Sequence, residues 1–157
     1  MPFSLEIESP VAASRMFKAA LVDWHNLGPK LAPEILVSGS IVEGESGAVG
    51  GVRQLNFSSV MPFSYVKERL DFIDHEKFEV KVSAVEGGHL GTILESASAH
   101  FQIKPTASGG CVVKVVTESK LKPGAVSGDD EAKAKEAMVM LFKAAEAYLV
   151  ANPDAYA

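Results

Sequence analysis

Between Leu36 and Lys122, apolar and polar residues alternate at period two in short runs separated by glycines and turn residues. Such alternation gives each run one face for a core and one for water, the signature of antiparallel strands. The cleanest run is Phe78-Glu79-Val80-Lys81-Val82-Ser83. Ala97, Ala99, Phe101 and Ile103 alternate with Ser96, Ser98, His100 and Gln102, while Val113, Val115 and Thr117 alternate less cleanly with their neighbours. Asp74-His75-Glu76 and Thr106–Gly110 read as hairpin turns. The spacing predicts a meander of about six antiparallel strands.

The flanks follow other rules. Phe3, Leu5 and Ile7 alternate with Ser4, Glu6 and Glu8, so a half-buried strand opens the chain and ends at Pro10. Ala13–Val22 then gathers Met16, Phe17, Ala20 and Leu21 on one helical face. Asp23–Leu31 reads as a second short helix, broken by Gly28-Pro29 and closed before Pro33, so that the two helices form a V. A long helix is expected from Asp129-Asp130-Glu131, whose carboxylates suit an N-terminal dipole, to about Val150 before Pro153. Ala134, Ala137, Leu141, Ala145 and Tyr148 are placed on one face and Glu136, Lys143 and Glu146 on another, solvated one.

Strand, two short helices, a meander and one long helix make an α+β pattern in which a curved sheet can wrap the last helix. Ala134 and Ala137 are too small to fill the middle of that grip. An internal cavity and close helix–sheet packing are both compatible with the pattern.

The 157 residues suit one domain, residues 1–157, and 47% hydrophobic residues exclude a disordered chain. A net charge of −5 argues against broad binding to nucleic acid or anionic lipid. No run reaches the roughly 20 apolar residues of a membrane span, so no membrane association is expected. The acidic N-terminus lacks a signal-peptide pattern, and Cys111 is the one cysteine. A cytosolic protein without disulfides is expected. No His, Cys or carboxylate spacing suggests a metal, and no cofactor is expected.

Several segments together resemble the pathogenesis-related class 10 family, which includes the major birch-pollen allergen. They are Arg15–Ala19 with Asn26-Leu27-Gly28-Pro29-Lys30; Glu43-Gly44 to Gly51; Pro62-Phe63-Ser64-Tyr65-Val66-Lys67-Glu68-Arg69 with Asp74-His75; Val85-Glu86-Gly87-Gly88; and Glu146–Leu149 with Asp154-Ala155-Tyr156. The likeness covers essentially the whole chain in the same element order. It implies a helix-grip fold: a seven-stranded curved antiparallel sheet around a long C-terminal helix, with two short helices, over a large cavity. It further implies an intracellular defence- or stress-associated protein holding small hydrophobic or amphipathic ligands such as flavonoids, cytokinins, sterol-like compounds or fatty acids. A monomer is expected, with a weak dimer as the alternative.

The glycine-rich loop Gly44–Gly51 is read as a hairpin loop and not a phosphate cradle. No Lys-Ser/Thr pair follows it, Val52–Leu55 continues as a strand, and Glu43 and Glu45 would repel phosphate. Strand parity nominates Phe57, Tyr65, Val80, Val82, Ala97, Ala99, Phe101, Val113 and Val115 as inward-facing, with Lys67 and Thr117 as polar members of that set. Leu36, Ala20, His25, Ala134, Ala137 and Leu141 complete the candidate lining. Any of these apolar residues could equally be ordinary core. The loops Ser58–Pro62 and Glu86–Gly91 are candidate gates, with Met61 and Leu90 as covers.

Three rival functions make different demands on the chain. A ribonuclease, proposed for the family, would by resemblance use Arg53, Glu95, Glu146 and Tyr148; the four scattered histidines supply no acid–base pair. A condensing enzyme would need a positioned lysine, for which Lys67 and Lys114 are available, Lys114 with outward parity. A hormone receptor inhibiting phosphatases would need gate motifs that the chain lacks, since Leu90 follows His89 where an arginine is required.

Overall fold

The computed structural model describes residues 3–125 and 130–157. Its elements run β1 (Phe3–Ser9), α1 (Ala13–Met16) continuing as a π-helical segment (Phe17–Val22), and α2 (Trp24–Leu31). Six strands follow: β2 (Leu36–Glu43), β3 (Val52–Phe57), β4 (Tyr65–Asp74), β5 (Glu79–Gly87), β6 (Leu94–Pro105) and β7 (Cys111–Leu121). The chain closes with α3 (Asp130–Ala151). All neighbours pair antiparallel in one seven-stranded sheet, ordered β1-β7-β6-β5-β4-β3-β2. The first strand therefore crosses to the far edge beside the last. Asp129, expected in the first turn of the long helix, lies outside the described residues.

The sheet is interrupted by register shifts. One lies at Lys67/Glu68 opposite Glu86/Ala84, a second at Leu70/Phe72, a third at Leu94/Ser96, and two more fall in the β2–β3 pair. Each extra residue bends its strand and raises the local twist, which lets a long sheet curl.

The short helices differ from the expected pattern in two ways. The first begins as α-helix but widens into the π-helical segment, which closes with Asp23 N–H donating to Lys18 O at 2.8 Å. The second does not break at Gly28-Pro29. Pro29 keeps a helix-compatible φ and costs one backbone donor, and α2 is eight residues long, so the loss is small. Gly28 serves contact instead: a Cβ there would lie 2.5 Å from Leu36 Cδ2 and 2.9 Å from Trp24.

The solid core sits at one end of the grip. Phe142, Ala145 and Leu149 of α3 are buried with Ile7, Met16, Phe17, Ile103, Val113 and Val115. Side chains of this size contribute about 1.5–3 kcal/mol each when fully buried. The N-terminal half of α3 is different, for Ala134, Ala137, Val139 and Met140 are exposed. No described helix is long and apolar enough to cross a membrane.

Candidate functional site

Where α3 stands off the sheet, a cavity of about 230 Å³ opens against the inner face of β5–β7. Its walls are Val82, Ala84, Ala97, Ala99 and Thr117 from the sheet, Phe3 from β1, and Ala134 and Met138 from α3. His89 and Ile93 close it from the β5–β6 loop. A smaller chamber of about 50 Å³ lies beneath α2, bounded by Leu21, His25, Arg53, Leu70, Val80 and Phe101. Glu68 and Val82 belong to both walls, so the two spaces adjoin.

The smaller chamber carries the polar groups. Arg53 Nη1 donates to the Leu21 carbonyl at 2.8 Å, and Nε reaches Glu68 Oε1 at 3.3 Å. That carbonyl belongs to the final turn of the π-helical segment, where helix carbonyls need partners from outside. His25 is buried; loss of water, then the Arg53 charge, lowers its pKa from the ordinary 6.5 against a smaller opposing effect of Asp23. Its Nε2 lies 3.4 Å from Asn26 Nδ2, which itself donates to Asp23 at 2.7 Å. The Gly44–Gly51 loop joins β2 to β3 with no helix after it, and Glu45, Ser46 and Gly47 form part of the chamber wall.

The sequence candidates divide into four groups. Val82, Ala97, Ala99, Thr117 and Ala134 line the larger space, and His25, Val80, Val82 and Phe101 the smaller. Ala20, Leu36, Val113 and Val115 are buried core, against which Phe57 and Leu141 pack. Leu90 lies in the β5–β6 loop and bridges to Leu94, but its neighbour His89 reaches the wall.

Tyr65, Lys67 and Ala137 need correction. Leu55 faces Val66 and Arg53 faces Glu68, so the inward members of β4 are Val66 and Glu68. Tyr65 and Lys67 occupy the opposite face with Gln54 and Asn56. There the Tyr65 hydroxyl donates to Glu86 Oε2 at 2.7 Å and Lys67 Nζ lies 3.2 Å from the same oxygen. These bonds hold the Glu86 carboxyl below its usual range, and the Glu86 bond pushes the Tyr65 phenol up. Parity counted along a strand fails at a bulge, because one added residue exchanges the two faces. Ala137 lies off the cavity wall because the stripe of α3 that faces the sheet steps by four and three, through Ala134, Met138, Phe142, Ala145 and Leu149.

The ribonuclease set is dispersed. Arg53 is held by Leu21 and Glu68, and Glu95 pairs with Lys120 at 3.1 Å. Glu146 is not on a solvated face as expected: its side chain is 18% exposed, accepts from Ser9 Oγ at 3.0 Å and pairs with Lys143 at 3.1 Å. Cys111 is buried, and burial, with Glu146 nearby, pushes its thiol up to about 11, which disfavours a nucleophile. Lys114 faces outward to Glu6 at 3.5 Å. Among the described residues no three His, Cys, Asp or Glu side chains form a metal-binding group.

Sequence reasoning missed Glu68, Phe3, His89 and Met138. Phe3 was legible from its alternation, which puts it on one face with Leu5 and Ile7, and the β1–β7 register sets it opposite Thr117. Met138 follows from Ala134 by one helical step of four. Glu68 required knowledge of the bulge.

Comparisons agree with this geometry. The model of the pathogenesis-related protein Bet v 1 family matches residues 2–152. Pathogenesis-related protein 1 of Asparagus officinalis is 54% identical over 155 residues, covering 98% of this chain and 96% of that protein. Major pollen allergen Bet v 1-M/N of Betula pendula is 38% identical over 160 residues, covering 98% and 96%. The crystal structure of Ara h 8.0201 superposes with a TM-score of 0.84 at 31% identity, covering 97% of this chain and 99% of the other. Norcoclaurine synthase from Thalictrum flavum shares the fold with a TM-score of 0.80 at 21% identity, covering 96% and 86%. With its seven-stranded sheet, its C-terminal helix and these relatives, the chain belongs to the pathogenesis-related Bet v 1 family.

Proposed function

We propose that this chain is a cytosolic, defence-associated carrier that binds a small hydrophobic or amphipathic molecule between the sheet and the N-terminal half of α3. One observation carries the reading: the helix stands off a concave apolar wall and leaves about 230 Å³ between Ala99, Thr117, Ala134 and Met138. Small side chains on both sides keep that space open, and an apolar guest would regain the dispersion contacts that the lining forgoes. The alternatives have less support. Lys67 faces away from both chambers and Lys114 pairs with Glu6, so neither supplies an interior amine for condensation. The proposed nuclease residues occupy separate places.

Titration with a neutral, environment-sensitive dye, followed by competition with flavonoids, cytokinins and fatty acids, tests the reading. Saturable binding at one site per chain, displaced by one of these classes, is expected. A folded protein that leaves the dye in water would overturn it.

A further inference from the structure

His25 Nδ1 is the one buried side-chain polar atom without a hydrogen-bond partner among the described residues. The residue is 4% exposed and belongs to the wall of the smaller chamber together with Arg53 and Glu68. Its protonation pattern follows from its neighbours. The Asn26 amide donates to Asp23 Oδ1, which fixes that amide's orientation and turns an N–H donor toward His25 Nε2. Nε2 is thus the acceptor of a neutral ring, and Nδ1 carries the hydrogen. A buried N–H with nothing to receive it is costly, and cores rarely keep one.

We propose that His25 Nδ1–H, with Arg53 beside it, is the recognition point for a neutral oxygen acceptor, a carbonyl or ether-like oxygen, at one end of an otherwise apolar ligand. The inference rests on the ligand-binding reading above and names the ligand's chemistry. The apolar body occupies the larger space under α3, and the oxygen passes Val82 and Glu68, common to both walls, into the smaller one. Charge selects against a carboxylate. Arg53 is already matched by Glu68 and His25 is neutral, so a ligand anion would add an uncompensated charge beside the Glu68 carboxylate. The narrowness of the smaller chamber, about 50 Å³, also fits a single small polar group and not a ring. Long-chain fatty acids thereby rank below neutral ketones of similar apolar area.

The test uses the full chain and two fluorescent probes of equal shape. One is propionyl-dimethylaminonaphthalene, a neutral ketone; the other is its propyl analogue, in which a methylene replaces the carbonyl. The ketone should bind about tenfold more tightly to the native protein. In His25→Leu that preference should shrink to about twofold, through a loss of ketone affinity that exceeds any change in propyl affinity. Isotope-edited infrared spectroscopy of the bound ketone provides a second readout on the unmutated protein, so a misfolded variant leaves the question decidable. The carbonyl stretch should fall to the frequency of a hydrogen-bonded ketone. If both probes bind equally and the stretch stays at its apolar-solvent frequency, water and not ligand satisfies Nδ1, and the His25 assignment is wrong while the carrier reading stands. If neither probe binds, the carrier reading fails and takes this inference with it.

Discussion

Individual side chains decide where this fold is tight and where it is open. Gly39 of β2 lies against α2 so closely that a Cβ would stand 2.5 Å from the His25 carbonyl oxygen and 2.9 Å from its Cα. Backbone cannot yield as a side-chain tip can. Gly39→Ala should cost about 2 kcal/mol of stability in urea unfolding, by overpacking that separates α2 from the sheet. Gly28→Ala, which meets side-chain atoms of Leu36 and Trp24 and not backbone, should cost less than that. His25 gives the same region a pH dependence. Its folded pKa lies below the ordinary 6.5, so the unfolded chain binds the proton more readily. Stability is then full above about pH 6.5 and declines as pH falls below it. The urea midpoint should drop between pH 7 and 5.5 in the native protein, and His25→Leu should remove that component. Tyr156 works from the other side, since burial and its bond to Asp23 raise its phenol pKa. Its contribution is present below the unfolded value near 10 and is lost as pH rises beyond it.

Elements show which features a sequence can and cannot reveal. The strand meander was legible because period two with glycine punctuation admits few alternatives. The π-helical widening at Phe17–Val22 was not, for α- and π-turns bury nearly the same residues. The fastening of α3 was hidden for another reason, since it depends on backbone carbonyls. Arg15 donates through Nε to Ala155 O at 3.0 Å, and through Nη2 to Leu149 O at 3.0 Å and Asn152 O at 2.7 Å. One guanidinium thus satisfies the Leu149 carbonyl in the last turn of α3 and two carbonyls of the chain beyond it, and ties them to α1. Arg15→Ala should cost about 2 kcal/mol, measured by urea unfolding, with Arg15→Lys recovering only part. The other end of α3 is the open one, and its stripe is testable. Ala134→Phe should weaken dye binding by about tenfold or more by filling the cavity, whereas Ala137→Phe, on the exposed face, should leave it within about twofold.

For the whole molecule, the division between a solid end and a hollow end joins stability to function. Phe142, Ala145 and Leu149 lock the C-terminal half of α3 to Ile7, Val113 and the short helices, so the fold does not depend on what fills the rest. The smaller residues Ala97, Ala99, Ala134 and Thr117 then surround space and not neighbours. Family and strand count were readable from the chain because they depend on element order; the place of β1 beside β7 was not, since alternation within a strand does not fix which edge it joins. The interior polar pair was not, because the shift at Leu70/Phe72 places an extra residue, Asp71, in β4 and exchanges that strand's faces, so that Glu68 faces inward in place of Lys67. That exchange gives the cavity wall a carboxylate balanced by Arg53 and leaves the nominated lysine on the outer surface.

The most direct test of an internal binding site is amide chemical-shift mapping during titration with the neutral ketone probe. The account predicts saturable shifts concentrated at Val82, Ala99, Thr117, Ala134 and Met138, the residues that face one another across the larger space. Shifts confined to outward residues such as Lys81, His100 and Val116, or no saturable shifts at all, would contradict it.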